Sequence, residues 1–133
     1  MNAFFVDSFA FLAMVNRRDE MHARAVEAFR SSRRALVTTA WVLTELADGL
    51  CLPQGRRVFL ELEARLRADP RVTIVPPSLE LYERGLQLYR DRPDKDWPLT
   101  DCISFEVMRE RGIVEALTGD RHFGQAGFIV LLR

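Results

Sequence analysis

Four carboxylates carry the chemistry this chain could do: Asp7, Glu45, Asp101 and Asp120. Asp7 closes the apolar run Ala3-Phe4-Phe5-Val6, and Asp120 follows a second apolar run that ends at Thr118. Glu45 lies about two turns into a predicted helix. Asp101 opens another helix behind the breaker Trp97-Pro98, with Asp96 in the loop before it. Acids that converge without partners repel one another, and a hard divalent cation relieves that repulsion. Carboxylates and water are the ligand set that Mg²⁺ and Mn²⁺ take. Each acid also has a plainer reading. Asp7 and Asp101 suit helix starts, Glu45 suits a solvated helix face, and Asp120 suits a Gly-Asp turn. The arrangement of four carries the argument. Ser8, Thr100 and Thr118 stand beside or close to these acids, so their hydroxyls could orient a carboxylate or a water. His22 and His122 have no partner at metal-ligand spacing and read as structural or surface residues.

The acids matter only if the chain brings them to one place. Apolar runs at 3–6, 35–38, 72–75, 113–118 and 128–132 read as strands. Helical spacing of apolar residues marks 9–15, 22–30, 40–50, 56–67, 79–89 and a segment from Leu99 that Gly112 ends. The segment 119–124 reads as a loop. Alternating strands and helices predict a three-layer α/β domain spanning residues 1–133, with a mainly parallel sheet of about five strands. Sites in such a sheet form beyond the carboxyl ends of its strands, where Asp7 and Asp120 fall and where the helix carrying Glu45 begins.

Composition narrows the function classes. The 133 residues suffice for one domain with a real core. Nineteen basic and 19 acidic residues cancel, so no broad basic surface advertises nucleic acid or a membrane. A polyanionic substrate would be held by local features such as Arg121 and Lys95. Cys51 and Cys102 form no metal spacing and read as buried free thiols of a reducing compartment. The apolar start is interrupted by Asp7 and followed, not preceded, by Arg17-Arg18, the wrong order for a signal peptide. No run reaches membrane-spanning length. A cytoplasmic protein is expected.

Several motifs together resemble the PIN domain, and within it the VapC-type ribonuclease toxins of toxin–antitoxin modules. They are Phe5-Val6-Asp7-Ser8, the helical Thr44-Glu45, Leu99-Thr100-Asp101-Cys102 and Leu117-Thr118-Gly119-Asp120-Arg121-His122-Phe123. The resemblance implies a metal-dependent endoribonuclease with Asp7, Glu45, Asp101 and Asp120 as its acidic cluster. It implies Asp7 and Asp101 as magnesium ligands, with Mn²⁺ a possible substitute, and Asp96 as a further acid upstream of the third motif. Glu45 and Asp120 remain open between ligand and proton acceptor. It further implies an RNA substrate, a homodimer and a cognate antitoxin. Pro98 stands where many relatives carry Ser, and Gly119 where a hydroxyl residue is common. A phospho-accepting signalling domain would need an Asp ending the third strand and a Lys after the last. Pro76-Pro77 follows Val75 here, and no such Lys exists. The alternative that remains is a PIN-like module that binds RNA or protein with little or no catalysis.

Overall fold

A computed structural model describes residues 3–133. Its short apolar runs pair as one sheet of five strands, every neighbouring pair parallel. They are β1 (Phe4–Val6), β2 (Leu36–Thr39), β3 (Val72–Val75), β4 (Glu115–Leu117) and β5 (Ile129–Val130). The order across the sheet is β3-β2-β1-β4-β5. Every residue of β1 and β2 is buried, so both faces of the sheet centre are covered, as a parallel sheet requires. β3 and β5, at the edges, are only partly buried.

Among the described residues seven helices connect and cover the strands: α1 (Ser8–Val15), α2 (His22–Ser31), α3 (Ala40–Gly49), α4 (Pro53–Ala68), α5 (Leu79–Asp91), α6 (Leu99–Arg111) and α7 (Arg121–Gln125). Local chemistry sets their ends. Thr39 Oγ1 accepts from the Val42 amide and starts α3, and Ser78 Oγ does the same for α5 through Leu81. Gly112 closes α6 at φ +66°, and the Gly112 and Ile113 amides take up the freed carbonyls of Arg109 and Met108. Chain order reverses between β1 and β4, whose register sets Val6 opposite Leu117. The crevice beyond the carboxyl ends of these two strands is the switch point of the sheet.

The fold class is as expected, and the boundaries differ in places that chemistry explains. The segment 119–124 is not all loop: α7 occupies most of it, a single turn too short to show a period. α4 begins at Pro53, ahead of the expected Arg56, because proline is favoured at the first helical position. Pro98 sits just before α6 as its extended N-cap, outside the first turn. Cys102 is buried, but Cys51 is exposed between α3 and α4.

The core fixes the elements around the switch point. Phe5, Phe11, Phe105 and Phe123 are fully buried. Phe105 of α6 meets Phe123 of α7 edge-on at 4.9 Å, and Trp97 meets Phe105 the same way at 5.1 Å. Trp97 Nε1 also donates to Gln125 Oε1 at 3.0 Å. The loop before α6 is thereby tied to α7.

Candidate active site

Asp7 leaves the carboxyl end of β1 as the N-cap of α1, yet its side chain makes no capping bond. It is 3% exposed. Its Oδ2 accepts from the Thr118 hydroxyl at 3.0 Å, while Oδ1, equally enclosed, has no partner among the described residues. A buried carboxylate oxygen with nothing to accept from is costly. The cap-only reading of Asp7 therefore does not describe it.

Thr118 links two acids. Its Oγ1 donates to Asp7 and accepts from the Asp120 amide at 3.0 Å. Asp120 in turn caps α7, its Oδ1 accepting from the His122 amide at 2.9 Å. The glycine that departs from the family pattern has a steric cause: a Cβ on Gly119 would fall 2.5 Å from Cζ of Phe9. Thr118 supplies the hydroxyl instead, accepting from the Asp120 backbone amide rather than meeting its carboxylate.

Asp101, in the first turn of α6, is 4% exposed. Glu45, half-buried on α3, accepts from the Ser8 hydroxyl at 2.7 Å, so it is more than a solvated face. Asp7, Asp101 and Asp120 all stand at helix starts, where the peptide dipoles favour negative charge. That help is incomplete. Burial, and then the charges of Asp101 and Glu45, push Asp7 up to about 7 against the lowering effects of the Thr118 hydroxyl and the Ser8 backbone. Burial, and then the charges of Asp120 and Glu45, push Asp101 up to about 7. The four acids thus share one electrostatic field.

The remaining expectations divide. Ser8 and Thr118 each hold a carboxylate. Thr100 does not: its carbonyl accepts from Ser104 Oγ, and its hydroxyl has no partner among the described residues. Asp96 is exposed, and its carboxylate pairs with nothing among them. Arg121 is exposed beside Asp120. His122, read from sequence as structural or surface, belongs to the site. Its Nδ1 lies 3.1 Å from Asp101 Oδ2 and 3.3 Å from Asp120 Oδ1, with the side chain 17% exposed. One ligand atom from each of the three residues falls within 4.8 Å of the others. The contact of His122 with Asp101 spans 21 residues, so no local spacing in the sequence announced it.

A divalent cation fits this donor set. An orphaned, fully enclosed carboxylate oxygen and four acids in one field are what such an ion would satisfy and neutralise. The same geometry alone would serve any hydrolysis that an ion activates.

Comparison with known proteins narrows the choice. The PIN domain family matches residues 4–129. The 23S rRNA-specific endonuclease VapC20 of Mycobacterium tuberculosis is 31% identical over 126 residues, covering 94% of this chain and 95% of that protein. The crystal structure of M. tuberculosis VapC20, described as a sarcin-ricin loop cleaving toxin, superposes with a TM-score of 0.85 at 27% identity, covering 95% and 96% of the two chains. VapBC2 from Rickettsia felis, solved with a DNA fragment from its promoter, gives a TM-score of 0.68 at 13% identity over 96% of each chain. That last likeness speaks to the fold alone.

Proposed function

The chain belongs to the PIN-domain family, and from that premise we propose that it is a metal-dependent endoribonuclease, the toxin of a toxin–antitoxin pair. The observation that carries the reading is the group of buried and half-buried acids at the switch point, with Asp7 Oδ1 left without a partner among the described residues. The alternative of a non-catalytic binding module is not favoured. All four acids are present, and the relative that matches nearly the whole chain is named an endonuclease.

Asp7 and Asp101 are the proposed metal ligands, with Mg²⁺ or Mn²⁺ as the ion. A bound ion would polarise the scissile phosphate and lower the pKa of a water so that, once deprotonated, it attacks as hydroxide. Thr118 holds Asp7 in register through Oδ2, leaving Oδ1 free. Glu45, oriented by Ser8, or Asp120, oriented by its own cap geometry, accepts the proton of the attacking water. Arg121 and Lys95 draw the phosphate backbone toward a chain whose net charge is zero. The substrate is RNA, and the first to try is 23S rRNA, the target in the relative's name. The protein acts in the cytoplasm as a homodimer. Its antitoxin presents an arginine to the carboxylates in place of the ion. Among the described residues no helix is long and apolar enough to cross a membrane.

Purified protein should cleave RNA in Mg²⁺ or Mn²⁺ and stop on addition of EDTA. Asp7→Asn and Asp101→Asn should each lower the cleavage rate at least about a hundredfold, with circular dichroism unchanged. Cleavage undiminished by EDTA, or by either substitution, overturns the metal reading. Co-expression with the protein encoded directly upstream should give an inactive complex; separate purification with activity unchanged on mixing removes the antitoxin.

A further inference from the structure

We infer that His122 contributes its Nδ1 to the first coordination shell of the ion, making the site a mixed nitrogen–carboxylate centre that favours Mn²⁺ over Mg²⁺. The inference rests on the proposed reading of the cluster as a divalent-cation site and adds a ligand and a metal preference to it.

Nδ1 lies close to two carboxylate oxygens at once, 3.1 Å from Asp101 and 3.3 Å from Asp120. A single N–H can point well at only one of them. An ion can serve all three atoms together. Neighbouring ligands of an octahedral ion with bonds of about 2.1 Å are about 3.0 Å apart, close to both observed separations.

The ring is also held in place. His122 is the second residue of α7, and its amide donates to the Asp120 carboxylate. The next residue, Phe123, is fully buried against Phe105 of the helix that carries Asp101. The imidazole is thus fixed between two helix starts. Asp7 stands outside the group of Asp101, Asp120 and His122, but its charge and that of Asp101 act on one another, and its enclosed Oδ1, without a partner among the described residues, is a further buried oxygen that an ion held beside Asp101 would satisfy.

Nitrogen changes which ion the site prefers. Magnesium takes oxygen ligands and dehydrates reluctantly, whereas imidazole suits first-row transition ions. An all-carboxylate cluster would discriminate less between Mg²⁺ and Mn²⁺.

The chain has two histidines, which makes the test direct. His22 is accounted for elsewhere, its Nδ1 2.8 Å from the Ala13 carbonyl. Full-length protein loaded with Mn²⁺ alone is examined by pulsed electron paramagnetic resonance. A directly bound imidazole should give strong ¹⁴N modulation, which changes to the ¹⁵N pattern when histidine is labelled and persists in His22→Gln. His122→Ala and His122→Gln should abolish the modulation. Calorimetric titration should show the ratio of Mg²⁺ to Mn²⁺ dissociation constants falling about tenfold in both. Bound Mn²⁺ without histidine modulation in the wild type overturns the inference and leaves the metal reading standing. Failure of the wild type to bind Mn²⁺ overturns both. The wild-type spectra decide even if a His122 variant does not fold.

Discussion

Thr118 is the residue on which two acids depend. Fully buried, it donates to Asp7 and accepts from the Asp120 amide through one hydroxyl. Thr118→Val keeps the shape and removes both bonds. Leaving these groups unpaired costs about 1–3 kcal/mol, measurable by urea unfolding. If Thr118 also positions Asp7 for the ion, the Mn²⁺ dissociation constant rises about tenfold, and Thr118→Ser restores it. A purely structural role predicts the stability loss with metal affinity unchanged. Two residues before Asp120 in sequence, Thr118 was visible from the start. His122 was not, because its contact with Asp101 spans 21 residues and exists only once α6 and α7 pack. Thr100 shows the converse: adjacency suggested a role, but the helix turns its hydroxyl to no carboxylate among the described residues.

At the scale of elements, the sequence was most legible where apolar runs and caps agreed. β1 and β3, with α5 starting behind Ser78, stand within a residue of expectation because period, length and capping residue point the same way. α7 was illegible because a five-residue helix has no period to read. Yet α7 carries His122 and is capped by Asp120, so its placement against α6 sets the site. That placement depends on Trp97, buried against Phe105 and bonded to Gln125. Arg92 lies 5.2 Å over the Trp97 ring and braces the same loop. Trp97→Phe keeps an aromatic ring but loses the bond, and Gln125→Ala loses it from the other side. Each should cost about 1 kcal/mol and slow RNA cleavage severalfold. Because both remove one shared interaction, the double variant should cost less than the sum of the singles. Additive losses would mean that the bond does not couple loop to helix.

For the whole molecule the decisive term is the charge held inside it. Net charge is zero, so overall repulsion does not govern how stability changes near neutral pH; buried acids do. Asp7 and Asp101 both titrate near 7 in the folded protein against an ordinary value of 3.8. Between these values the unfolded chain has released protons that the folded chain still binds, so raising the pH favours unfolding. The stability these two groups allow is fully present below about pH 4, drains away as pH rises, and is gone above about pH 7. A divalent ion held by these acids would reverse the loss where they are ionised, and compete poorly where they hold protons. Melting temperature in EDTA should therefore fall between pH 5 and pH 8 at fixed ionic strength. At pH 8, Mg²⁺ or Mn²⁺ at ten times its dissociation constant adds about 1.4 kcal/mol, a rise of roughly 5 °C for a chain this long. The same concentration at pH 5 should add little. Asp101→Asn removes one of the two buried charges, so in EDTA at pH 8 it should melt at or above the wild type and lose most of the metal response. Were Asp101 only a complement to the α6 dipole, the substitution would lower the melting temperature slightly and leave the response to metal intact. Thermal melts of the two proteins at both pH values, with and without the ion, separate these outcomes. A metal response equal at pH 5 and pH 8 would show that the ion does not compete for the protons of Asp7 and Asp101.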